Sequence, residues 1–211
     1  MSAKTTRNRR LPAEQRRAQI VEAVLEVVGK HGVPGATVAR IAAAAGVSEG
    51  ALYVHFESRD EMLMAALDYI YTEMSNLIES SAGLSVLDRL KHIAERHSSL
   101  MKTKLGTITS PWIEFVAVGP QVGLRELVAD VQTRLFNRIL AIVLEGQAEG
   151  SIRKDLSARS LTWQWYTIMW AENVSSLMGL SEYIDEGHSA YSLDLLLREV
   201  STGVGQTAQQ V

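Results

Sequence analysis

Residues 37–56, TVARIAAAAGVSEGALYVHF, decide how this chain is read. Val38, Ile41 and Ala45 recur at i, i+3 and i+7, one apolar stripe at the period of a helix. Thr37 stands where an N-cap belongs, its hydroxyl placed to accept an otherwise orphan backbone N–H. The small residues at 42–45 allow a second helix to cross closely, and Gly46 supplies the positive φ that ends the helix and turns the chain. Val47 then plugs inward, Ser48 caps a new helix, and Leu52 and Phe56 lie on its buried side. Ser48, Glu49, Gly50, Ala51, Val54 and His55 are left largely outward. The spacing predicts a helix-turn-helix whose second helix, about two turns long, is available to a DNA major groove. A plain helical hairpin shares the alanine-rich first half. The short second helix, followed at once by another capped helix, separates the two readings.

Upstream, residues 13–30 carry Ile20, Val24, Val27 and Val28 on one helical stripe, with Arg16, Arg17 and Glu22 off it. His31-Gly32 stops that helix, and Val33-Pro34-Gly35 leads into the two-helix unit. Ile20, Val24, Val28, Ile41, Val47, Leu52 and Phe56 are the expected core of this small module, residues 13–57. Residues 1–12 contain Lys4, Arg7, Arg9 and Arg10 and no acid. Such an arm is solvated when free, and can lie along phosphates or enter a minor groove when DNA is present. Residues 1–59 hold nine Lys/Arg against five Asp/Glu, a charge of +4; the chain total of −3 therefore leaves −7 for residues 60–211. A basic head on an acidic body is the electrostatic layout of a DNA-binding module joined to something else.

Downstream, residues 58–203 read as a helical body. Ser58-Arg59-Asp60-Glu61 opens a helix as a capping box, and the apolar positions run on to about residue 80. Ser81-Ala82-Gly83 breaks the chain, and Ser85 with Asp88 caps the next helix. Gly106 interrupts, Ser110-Pro111 reads as N-cap and N1 of a short helix, and Gly119-Pro120 ends it. Leu124, Leu127, Val131, Leu135, Ile139 and Ile142 then mark one long helical face ending near Gly150. Residues 161–177 and 190–200 are apolar around the whole cylinder, which calls for cover on all sides and points to a partner subunit. Residues 204–211 are expected to fray.

Several function classes find no support. No cysteine is present for disulfides or thiolate metal sites, no run reaches membrane-span length, and the polar, arginine-rich start does not read as a secretory signal. His31, His55, His92, His97 and His188 form no tight ligand pattern, so no metal and no cofactor are expected. No phosphate loop or nucleophile elbow occurs in a strand-turn-helix setting, and catalysis has no sequence support. The unaided expectation is a cytoplasmic protein.

Residues from about 13 to 63 resemble the N-terminal domain of the TetR family of transcriptional regulators, a quarter of the chain. The resemblance is carried by the helix at 13–30, His31-Gly32, Ala36-Thr37-Val38, Ile41-Ala42, Ala45-Gly46-Val47-Ser48, Gly50, Leu52-Tyr53, His55-Phe56 and Arg59. It implies an all-α fold: three helices for DNA, then about six forming a dimeric, effector-binding body. It implies a repressor of a palindromic operator in double-stranded DNA, modulated by a small molecule. Thr37, Ser48, Tyr53, His55 and Arg59 are the phosphate candidates, with Arg40 beside them on the first helix of the unit. Glu49, Gly50 and Ala51 fall where base edges are met, with no Arg, Asn or Gln in that helix for bidentate readout. For the effector, aromatic surface mixed with isolated polar groups nominates His97, Trp112, Glu114, Phe115, Trp165, Tyr166, Trp170 and Glu172. The competing reading is an enzyme or carrier that holds an apolar small molecule in the helical body.

Overall fold

The computed structural model describes residues 12–101, 106–118, 123–180 and 182–203. The basic arm before Pro12, the Gly119-Pro120 break and the tail after Gly203 lie outside the described residues. Within them the chain is all-α, ten helices with one isolated bridge between Ile152 and Ser201. None of these helices is long and apolar enough to cross a membrane.

The head is α1 (Ala13–Gly35), α2 (Val38–Ala45) and α3 (Glu49–Leu52). Ile20, Val24, Val27 and Val28 of α1 are buried on the predicted stripe. Gly32, at φ 70°, breaks the α1 geometry where the stop was expected. Thr37 Oγ1 accepts the Arg40 N–H at 3.3 Å, and Gly46 closes α2 in the left-handed region at φ 65°. Ser48 Oγ accepts the Ala51 N–H at 3.3 Å to open α3. The expected two-turn second helix is shorter, a single turn. His55 and Phe56 both donate to the Leu52 carbonyl, so the i→i−4 ladder tightens and stops there while Phe56 is carried into the core.

The body is α4 (Arg59–Glu79), α5 (Val86–Met101), α6 (Gly106–Val118), α7 (Arg125–Glu149), α8 (Ala158–Leu177), α9 (Glu182–Asp185) and α10 (His188–Val200). Ser58 Oγ accepts the Glu61 N–H at 3.1 Å, while Glu61 Oε2 reaches back to the Glu57 N–H at 2.6 Å, one residue beyond the usual capping box. Ser85 and Ser157 cap α5 and α8 as hydroxyl acceptors. The expected helix start at Ser110-Pro111 is overturned. Pro111 lies inside α6, which is already under way from Gly106, with Ile108 and Thr109 buried ahead of it. Ser110 Oγ donates instead to the Gly29 carbonyl of α1 at 3.2 Å.

Head and body share one hydrophobic core, with α1 seated between α6 and α4. At the far end of the body the chain closes on itself: Arg153 N–H donates to the Val200 carbonyl at 2.9 Å, and Thr202 N–H to Ser151 at 3.1 Å. Gly146 of α7 sits under this closure. A Cβ there would stand 2.7 Å from Val86 Cγ1 and 2.8 Å from Ile152 Cδ1, too close for buried branched side chains. Gly146→Ala is therefore expected to lower the urea midpoint. Overpacking costs about 1–3 kcal/mol, offset by up to about 1 kcal/mol of helix propensity. An unchanged or raised midpoint would show that Val86 and Ile152 can step aside.

Candidate DNA-binding surface and ligand cavity

The α2–α3 unit turns a compact face outward. Thr37, Ser48, Glu49 and Gly50 are exposed, Ala51 and His55 half-buried, and Tyr53 and Val54 stand out at 51% and 75% exposure. A Cβ on Gly50 would meet nothing within 4 Å and its φ is ordinary, so nothing inside the chain requires glycine there. What a missing side chain does provide is close approach from outside.

The arginines of the head do work that the sequence did not disclose. Arg59, predicted to reach a phosphate, is instead turned into the chain. Its Nε donates to the Ala36 carbonyl at 2.7 Å, its Nη2 to the Val33 carbonyl, and Nη1 lies 3.5 Å from Asp60. It holds the connector between α1 and α2 against the start of α4. The physical reason is that the Ala36 carbonyl lies outside regular helix, and the Val33 carbonyl past the Gly32 break accepts only a 3.3 Å bond from the Ala36 N–H, so both can take a further donor. Arg40 remains exposed, with Nη1 on the Gly35 carbonyl at 2.8 Å.

Arg17 was missed entirely as a functional residue. Its guanidinium lies 3.9 Å over the Phe56 ring, donates to the His55 carbonyl, and pairs with Glu61 at 2.9 Å. No local signal could have found it, since its partners are 38 and 44 residues away. The Arg17 hydrogen bond, then the Glu57 N–H, hold the Glu61 carboxyl below its ordinary value.

The body holds a partly open cavity of about 90 Å³. Five of the eight nominated effector residues line it: His97, Trp112, Trp165, Tyr166 and Trp170. Trp112 and Trp170 face one another at 6.4 Å between ring centroids. Trp165 Nε1 donates to the Leu90 carbonyl at 3.2 Å, so that ring is anchored, and burial raises the Tyr166 phenol well above its usual range, keeping it protonated. Three nominations are placed elsewhere. Phe115 is wholly buried in the core. Glu114 faces α1, where a Cβ on Gly32 would stand 3.0 Å from its Oε2. Glu172 lies behind the wall, 1% exposed, accepting from His97 Nδ1 at 2.9 Å and from the Ser98 hydroxyl.

The remaining lining is aliphatic, from Ile70, Leu77, Ile93, Ile108, Leu135 and Met169 among others, with the polar groups Thr109, Gln132 and Asn173. These were not foreseen, because ordinary core positions on separate helices converge here only after folding. Among the described residues no group of three or more His, Asp or Glu side chains is placed to hold a metal ion.

Residues 20–66 match the family model described as bacterial regulatory proteins, tetR family. The probable HTH-type transcriptional regulator ArpR of Pseudomonas putida is 33% identical over 128 residues, 61% of this chain and 50% of that protein. The chain thus spans about half the length of that relative. A putative TetR-family transcriptional regulator from Rhodococcus superposes with a TM-score of 0.74 at 24% identity, over 87% of this chain and 99% of the other. The transcriptional regulator FadR from Bacillus subtilis, in complex with stearoyl-CoA, superposes with a TM-score of 0.67 at 20% identity, over 87% and 98%. Residues 20–66 are thus an N-terminal module of the tetR family type, and the fold is shared with the Rhodococcus structure over 87% of the chain.

Two measurements check the head. The Glu61 carboxyl, followed by NMR, is expected to titrate below the ordinary glutamate range and to rise toward it in Arg17→Ala, where the Glu57 N–H still lowers it. Because the folded value is depressed, its stabilising effect is present above the unfolded value and is lost as pH falls through the folded one. Arg59→Ala is expected to cost on the order of 2 kcal/mol by leaving two connector carbonyls without their charged donor. Arg59→Lys should recover little of this, since an ammonium lacks the planar fork. Recovery by lysine would show that charge alone matters.

Proposed function

We propose that this protein is a homodimeric, DNA-binding transcriptional repressor of the cytoplasm, controlled by a small molecule held in the cavity of the body. The observation that carries this reading is the double use of α6. Ile108, Thr109 and Trp112 line the cavity, while Ser110, Pro111 and Glu114 lie against α1 of the head. A ligand that moves Trp112 therefore acts on the helix that seats the DNA-binding module. Coupling of about 1–3 kcal/mol would change operator affinity roughly 5–150-fold.

Dimerisation is supported by what one copy leaves uncovered. On α8, Trp163, Thr167, Ala171, Val174 and Met178 form an exposed stripe, with Trp163 66% exposed. On α10, Tyr191 at 67% and Leu195 extend the apolar surface. A second copy on this face gives the complex a two-fold axis and sets two α3 elements on one side, as a palindromic operator requires. The α3 surface offers Glu49, Gly50, Ala51 and Tyr53, so base discrimination rests on few direct contacts and on DNA shape.

Selection of bound duplexes from a random pool is expected to return an inverted repeat, with half-sites about one turn of DNA apart or a multiple of it. Binding should weaken steeply with salt. Val174→Asp places an unpaired charge on the α8 stripe, and is expected to yield monomers by light scattering and to abolish binding to the full repeat. A Val174→Asp protein that stays dimeric, or a selection that returns no repeat, would count against the proposal.

A further inference from the structure

The cavity has one chemically distinctive end. His97 lines it, yet its Nδ1 is turned away toward Glu172, which lies outside the cavity wall. The ring edge left to the cavity carries Nε2, which has no hydrogen-bond partner among the described residues. Glu172 is fully engaged from behind, with Ser98 on one oxygen and His97 on the other. A ring nitrogen that donates to a carboxylate fixes the tautomer, so the neutral imidazole presents Nε2 as an acceptor.

Charge sharpens the reading. Among the described residues no Lys or Arg lines this cavity or the two clefts on the far side of Glu172, which add Glu95, Tyr183 and His188 to the titratable groups nearby. A ligand that donates to Nε2 extends a chain of hydrogen bonds, donor to Nε2 and Nδ1–H to the Glu172 carboxylate, in which each bond polarises the next. A ligand that brings a second negative charge leaves two anions sharing one imidazole, at low dielectric.

We infer that the ligand of this cavity carries a hydrogen-bond donor, a hydroxyl or N–H on an otherwise apolar skeleton, which His97 accepts at Nε2. The Glu172 carboxylate behind the ring disfavours carboxylate or phosphate ligands at this end. This rests on the effector reading proposed above. Trp112 and Trp170, tilted at 49° to one another, give the skeleton apolar wall, and the donor meets His97.

The test uses the full-length protein and three probes on one skeleton: β-naphthol, its methyl ether and β-naphthoate. Binding is measured by calorimetry, with melting curves as a check on folding. β-Naphthol is expected to bind about tenfold or more tightly than either companion, the ratio set by leaving a buried acceptor unpaired or facing an anion. His97→Phe should erase the advantage of naphthol over its ether. Glu172→Gln keeps an acceptor for Nδ1 and removes the charge, so naphthoate should gain about tenfold relative to naphthol; a role confined to stability would not move that ratio. Should His97→Phe fail to fold, Glu172→Gln carries the test alone. Equal binding of all three probes, or unchanged ratios in folded variants, would overturn the donor preference and leave the effector site standing. Failure of every probe to bind would overturn both.

Discussion

The crossing of α1 over α6 at Gly29 is the contact on which the rest of the molecule depends. A Cβ at Gly29 would stand 3.3 Å from Pro111 Cδ and 3.7 Å from Ser110 Oγ. The bare backbone lets the proline ring lie against α1, and the Ser110 hydroxyl then reaches the Gly29 carbonyl. Proline is costly inside a helix because it removes one backbone hydrogen bond. Here its flat ring seals the junction and merges two cores into one. The head is not tethered to the body by a linker; it is packed on it, and its orientation is set by where α6 lies.

How much of this was legible follows from the range of the interactions. Thr37, Gly46, Ser48, Ser58 and Ser85 read correctly because a cap acts within three or four residues of its own position. The apolar stripes of α1, α2 and α7 read correctly for the same reason. Pro111 was misread because Ser-Pro has the same local signature whether it opens a helix or sits within one held from outside. Arg59 was misread because a basic residue beside a DNA module gives no sign of carbonyls 23 and 26 residues back. Glu172 was nominated for the effector site but lies behind the cavity wall, because its carboxylate pairs with His97, a partnership that spans 75 residues and could not be seen. Aromatic residues on α6 and α8 located the cavity; its aliphatic majority had the pattern of any core.

The head's positive charge and its contact surface are separate things. Arg17 and Arg59 hold carbonyls, so neither extends from the α2–α3 face, yet a guanidinium bound to a carbonyl keeps its full charge. Arg17 is paired with Glu61 and Arg59 with Asp60, so the excess of four positive charges in residues 1–59 equals that of Lys4, Arg7, Arg9 and Arg10, while the exposed α2–α3 face is built of small groups and Tyr53. In the proposed complex, the acidic balance of residues 60–211 would favour approach to the duplex by the other end.

Helix α8 is a wall with something on each side. Trp165, Tyr166, Met169, Trp170 and Asn173 face the cavity, and one turn around the same cylinder Trp163, Thr167, Ala171 and Val174 face out. A close-packed helix shifts as a unit, since its interior side cannot yield without its exterior following. In the proposed dimer, filling the chamber would therefore press on the seam between copies as well as on α6. Occupancy in one copy would be felt by its neighbour through a shared partition, with no message needing to pass through DNA.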